Sequence, residues 1–143
     1  MLKEILNSDN FSEISTNNIQ NIISLLLEKK IYFGIVANLQ DIKFNPDLPK
    51  GIKENLSNFS LFSLAGYTFE SSFIKDDRLF FEAGFGENNF GSLVSIPFYS
   101  ILQVIVEENI VAINLVATHK KDIKKKKDSF ELFKNNPKNK KFL

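Results

Sequence analysis

The chain has 143 residues and a formal net charge of +1, the size of one domain able to bury about two-thirds of its extended surface. It has no Cys and one His, which excludes disulfides, thiolate zinc sites and cysteine nucleophiles and leaves no imidazole-plus-thiol set for a metal. The charge is unevenly placed: residues 118–143 hold ten Lys against Asp122, Asp128 and Glu131, a net of +7, which leaves −6 on residues 1–117.

In chain order, Leu2, Ile5 and Leu6 predict a short helical turn that Asn7–Asn10 breaks. This start has no basic stretch leading into a continuous apolar run, and no apolar run approaches the ~18 residues of a membrane span, so a cytoplasmic protein with no membrane partner is expected. Ile19, Ile22, Ile23, Leu26 and Leu27 then recur at i, i+3, i+4, i+7 and i+8, the stripe of an amphipathic helix capped by Ser15 or Thr16. That stripe packs on the chain's own sheet or pairs two copies. IYFGIVAN from Ile31 reads as a strand buried on both faces. The Pro-interrupted stretch after it leaves room for an edge strand at Ile42–Phe44 and a helical turn near Ile52–Leu56.

Phe59–Ala65 is the next predicted strand, and Gly66 and Tyr67 turn it into another over Thr68–Ile74. Asp76 and Asp77 lead into a long hairpin, Leu79–Pro97. Leu79, Phe81, Ala83 and Phe85 fall on one side of its first strand, with Phe80, Glu82 and Gly84 on the other. Gly84, Gly86, Asn88, Asn89 and Gly91 supply the turn. Strands follow at Leu102–Val106 and Ile110–Ala117, around a turn at Glu107–Asn109. Strands this close together predict a mainly β fold, a small antiparallel barrel or sandwich in which one N-terminal helix is followed by a strongly bent sheet. From Thr118 the apolar periodicity stops, predicting a folded domain over residues 1–117 and a flexible lysine-rich tail over 118–143.

No catalytic constellation emerges. His119 stands alone at the root of the tail, and the carboxylate pairs Asp76/Asp77 and Glu107/Glu108 fall in turns, where solvated acids are the norm. The spacing of Gly84, Gly86 and Gly91 is not that of a phosphate loop, and the segment runs into a strand instead of a helix N-terminus. The lysine tail can bind nucleic acid through phosphates, but it lacks Arg and has no stacking platform.

The order of these segments, a first helix ending LLLEKK, then IYFGIVAN, SLFSLA, LFFEAGFG and LVSIPFYSIL, resembles the stringent starvation protein B family, adaptors of the ClpXP protease. Phe85-Gly86 stands where the family has Phe-Gly-Gly, and Val94-Ser95-Ile96-Pro97 where it has Val-x-Val-Pro. The similarity covers residues 19 to 117, and the link Glu87–Ser92 is about two residues longer than the family's. The resemblance implies an Sm-like bent sheet that is not an enzyme and needs no cofactor or metal, forms a homodimer through the N-terminal helix, and binds extended peptide degrons such as ssrA tags. It assigns the peptide groove to Phe62, Leu64, Phe81, Phe85, Gly91, Ser92 and Val94, each aromatic having core packing as its other reading. It also makes Lys140, Lys141, Phe142 and Leu143 the peptide that docks on the ClpX unfoldase, with Phe130–Phe133 as the second candidate. Two other functions fit the sequence: an RNA-binding Sm-like module working through the tail, and a structural subunit of a larger assembly.

Overall fold

The computed structural model describes residues 1–119. Helix α1 (Leu2–Leu6) ends at Asn7, and α2 (Asp9–Glu28) follows almost at once. The long helix starts about two turns earlier than the expected caps at Ser15 or Thr16, because Ser8 caps it: its Oγ accepts from the Phe11 N–H at 3.5 Å, with Asp9 in the first turn favourable to the helix dipole. Lys30, at φ 57, closes the helix while the Ile31 N–H donates to the Leu26 carbonyl at 2.9 Å. Ile19, Ile23 and Leu26 are buried, and Ile22 and Leu27 pack against the same core, so the predicted stripe faces the chain's own sheets.

The strands are β1 (Phe33–Asn38), β2 (Lys43–Asn45), β3 (Phe59–Leu64), β4 (Phe73–Lys75), β5 (Arg78–Phe85), β6 (Phe90–Pro97), β7 (Ile101–Val106) and β8 (Asn109–Ile113); short helices α3 (Lys50–Glu54) and α4 (Tyr67–Ser71) precede β3 and β4. They form two four-stranded sheets, ordered β3-β1-β7-β8 and β2-β6-β5-β4, in which every neighbouring pair is antiparallel. The chain changes sheet four times, between β1 and β2, β2 and β3, β3 and β4, and β6 and β7, the last through the 3-10 turn Phe98–Ser100, whose Phe98 is fully buried. The inner faces share one core, with the Phe62 ring of β3 lying 5.7 Å from the Phe81 ring of β5.

Three sequence expectations need correction. Strand β1 is buried on one face, with Phe33, Ile35 and Ala37 inward and Gly34, Val36 and Asn38 half-buried outside. Thr68–Ile74 is not one strand: Gly66, at φ 56, starts the turn of α4, the Glu70 N–H closes it on the Gly66 carbonyl at 3.0 Å, and only Phe73–Lys75 extends. The last strand stops at Ile113, because Asn114 donates from Nδ2 to the Ile101 carbonyl at 3.2 Å and accepts from the Val116 N–H at 3.2 Å, coiling Leu115–His119 into a 3-10 turn.

Two turns hold adjacent acids in left-handed conformation, Asp76-Asp77 (φ 50 and 63) and Glu107-Glu108 (φ 50 and 69), each a two-residue hairpin loop of the type I′ kind. Their carboxylates are therefore turn residues. Arg78, next to the first turn, crosses the sheet edge to donate from Nη2 to the carbonyls of Asp41 at 3.0 Å and Ser95 at 2.9 Å. Tyr99 donates its hydroxyl to Asp41 Oδ2 at 2.6 Å.

Candidate functional site

The organising hairpin runs in register from Arg78↔Pro97 to Phe85↔Phe90, so Gly84 and Gly91 face each other inside the ladder and the turn itself is only Gly86–Asn89. Alternation sends Leu79 and Phe81 into the core and leaves Glu82 and Gly84 outside, with Leu93 and Gly91 opposite them on β6 and Asn45 opposite Leu93 on β2. The outer face at this end of the sheet is thus floored by two facing glycines, with the Asn89 side chain lying over Gly84 and open space over Gly91. Around it lies a cleft of about 430 Å³, walled by Asn45 and Pro46 on one side, Tyr67 and Thr68 on the other, and Asn89 at the tip.

Three hydrogen bonds set its walls. Tyr67 donates its hydroxyl to Glu82 Oε2, tying α4 to β5; that bond, with the nearby negative charge, raises the phenol above its ordinary pKa. Ser71 Oγ receives the Glu82 N–H at 2.9 Å. The buried Ser92 donates from Oγ to the Pro46 carbonyl at 2.8 Å, fixing the opposite wall from beneath. A side chain at Gly84 would meet Asn89, whose Oδ1 lies 1.7 Å from where its Cβ would sit, while one at Gly91 would meet nothing within 4 Å.

The edge of β5 is open here. Strand β4 pairs only with Arg78–Phe80, so from Phe81 onward no strand covers that edge among the described residues. The Glu82 N–H already points to that side, and Gly84, two residues on, aims its own N–H and C=O the same way. An unpaired edge beside a backbone floor has room and hydrogen-bonding capacity for a segment of extended chain.

Of the residues assigned to the groove, the structure brings Gly91 and Ser92 to this cleft and places the others elsewhere. Leu64, Phe81 and Val94 are fully buried, and Phe62 is only 6% exposed; their side chains are core. Phe85 is partly buried in an edge-on cluster with Phe44 (5.7 Å) and Phe62 (6.5 Å). Lys140, Lys141, Phe142 and Leu143, with Phe130–Phe133, lie outside the described residues. Sequence reasoning assigned none of the cleft's other lining residues to the groove, among them Asn45, Pro46, Tyr67, Thr68, Glu82 and Asn89. A signal for Glu82 was present in FFEAGF, where the face opposite Phe81 is the one carrying a carboxylate and a glycine; Tyr67 and Thr68 had none, because their helical turn was hidden inside a strand-like run.

Among the described residues no three His, Cys, Asp or Glu side chains come together as a metal site, and no helix is long and apolar enough to cross a membrane. The chain matches no family model and no curated protein.

Proposed function

We propose that the protein is a non-enzymatic, cytoplasmic proteolysis adaptor that holds an extended peptide degron, of the ssrA-tag kind, along the open edge of β5 and hands the attached substrate to ClpXP. The observation that carries this reading is the cleft floored by Gly84 and Gly91 beside an edge of β5 that, among the described residues, no strand covers past Phe80 and that Ser71 of α4 meets only at the Glu82 N–H. Its volume of about 430 Å³ falls in the range of ligand sites and suits a few residues of main chain. Main-chain hydrogen bonds to the edge supply affinity, and the Tyr67–Glu82 wall and the amides of Asn45 and Asn89 supply selectivity. The apolar wall drawn from Phe62, Leu64, Phe81 and Val94 has no part in it, since those side chains hold the two sheets together. Lys140–Leu143 serve as the docking peptide for ClpX, tethered by a chain of ~20 residues whose r.m.s. span is about 25 Å and which raises the local concentration of cargo. A homodimer formed through the N-terminal helix would rest on Ile14 and Leu25, the large apolar residues that α2 leaves exposed.

Gly91→Leu tests the cleft directly, because a Cβ there meets no protein atom within 4 Å and the side chain beyond it projects over the floor. Fluorescence anisotropy of an ssrA-like peptide should show micromolar binding to the parent chain and at least about tenfold weaker binding to the variant, a loss of about 1.4 kcal/mol, with an unchanged circular dichroism spectrum. Binding that survives Gly91→Leu places the peptide elsewhere, and absence of binding to the parent chain removes the reading. Deleting residues 128–143 should abolish capture of ClpX and leave peptide affinity intact. Affinity for RNA that falls steeply with salt and disappears with the tail would favour a nucleic-acid module instead.

A further inference from the structure

Among the described residues nothing packs over Leu61, Ile110 and Ile113 on the outer face of the β3-β1-β7-β8 sheet, which is largely apolar, with Ser63, Gln103 and Asn38 as its polar members. Its four strands, FSLFSL, FGIVAN, ILQVIV and NIVAI, contain no charged residue. One row across this face reads Leu61, Val36, Gln103, Ile113, and the next Ser63, Gly34, Ile105, Ile110. Leu61 is 66% exposed, Ile113 55% and Ile110 51%. Soluble sheets ordinarily guard such faces and edges with charges, and a continuous apolar patch marks a contact surface. At one end of the face a hollow of about 300 Å³ is lined by Tyr32, Gly34, Leu61 and Ile105 and rimmed by Glu107 and Glu108. At the other end the chain leaves the fold: the Ala117 carbonyl accepts from Nδ2 of Asn38, the last residue of β1 and a member of the outward set.

We propose that this face seats the chain's own basic segment, residues 120–133, with Lys124–Lys127 against Glu107 and Glu108 and with Phe130, Leu132 and Phe133 over Leu61, Ile110 and Ile113. Reach permits it. Gly34 to Asn38 spans roughly 15 Å of strand, and the five to eight residues from His119 to Lys124–Lys127 extend to about 17–28 Å, so the lysines arrive at the acidic turn and the three apolar residues fold back over the patch. Charge selects this occupant over a second copy, because the segment belongs to a tail of +7 whereas another folded body brings −6 to meet −6. The last ten residues, Lys134–Leu143, stay beyond the seat, and the full tether of the adaptor reading is available only when the segment lifts off it. The inference does not depend on the peptide-adaptor reading.

The chain has no cysteine, so Ser129→Cys in the full-length protein provides a single site for a nitroxide spin label. The label should broaden the methyl signals of Leu61, Ile110 and Ile113 and spare Leu93 on the other sheet. Broadening should weaken in the Glu107→Gln/Glu108→Gln double variant, in Phe130→Ser/Phe133→Ser, and at 1 M salt, where the screening length falls from about 10 Å to about 3 Å. A mixture of isotopically silent labelled chains with isotopically enriched unlabelled chains should show no broadening. Broadening in that mixture would assign the face to another molecule's tail, and its absence from the labelled chain itself would mean the tail does not sit there; either overturns the proposal.

Discussion

Phe62→Ala separates the two roles available to the aromatic residues of β3 and β5. Phe62 is 6% exposed, its ring lies 5.7 Å from Phe81 and 6.5 Å from Phe85, and it is the hinge of contact between the two sheets. Truncation removes the transfer free energy of a buried phenyl group and leaves a void between the two sheets, a loss of about 3–5 kcal/mol. For a folded body near 120 residues, at about 2.1 cal/mol/K of unfolding entropy per residue, each kcal/mol moves the melting temperature by about 4 °C. The expected drop is therefore about 12–20 °C, read by circular dichroism, with peptide affinity of the fraction still folded lowered far less than by Gly91→Leu. A melting temperature within a few degrees of the parent, together with lost peptide binding, would refute the reasoning and return Phe62 to the groove.

Other outcomes follow from single contacts. Ser92→Ala removes the hydrogen bond to the Pro46 carbonyl; it should cost about 1 kcal/mol, a shift of about 4 °C, and weaken peptide capture by loosening the Asn45–Pro46 wall, which titration of the folded variant checks. Gly84→Ala swings the exposed Asn89 side chain away from its position 1.7 Å from the new Cβ, so stability should change by no more than about 0.5 kcal/mol, as at other surface sites. Peptide titration of that variant should report the displaced Asn89 wall as a change in affinity without a change in melting temperature. Burial first, then its hydrogen bond to Asp41, raises the Tyr99 hydroxyl above its unfolded value of 10. The folded state favours the protonated phenol, so this stabilisation is complete below pH 10 and lost as pH climbs above it. Tyr99→Phe should flatten the alkaline fall in denaturation midpoint relative to the parent chain; an unchanged slope would exclude Tyr99 as its cause.

Much of the β architecture was legible because it is written in period two. The hairpin from Arg78 to Pro97, the edge strand near Phe44 and the turn pairs at Asp76 and Glu107 all follow from alternation and turn chemistry. What escaped has local causes. Ser8, an eligible cap among other polar residues, started α2 early, and Gly66 coiled Tyr67–Ser71 although its sequence favours extension. Asn114 ended β8 with hydrogen bonds to a strand thirteen residues away, which no local pattern encodes. Of the cleft, only Gly91 and Ser92 were legible: large apolar side chains mark the inner face, whereas the cleft opens on the outer one, over Gly84 and Gly91. Alternation says which residues share a face and is silent on which face stays open.

The two acidic turns carry a consequence for engineering the molecule. Asp76-Asp77 places both residues in a conformation that an L-residue other than glycine adopts at a cost of about 1–2 kcal/mol, moderated for Asp. Asn-Gly suits that geometry best, so exchanging this pair should strengthen the fold without touching the core or the cleft. A chain that keeps strained acids where a relaxed pair would fit holds unused thermal headroom at a site remote from its candidate binding surfaces, a place to gain tolerance before more costly substitutions are made elsewhere.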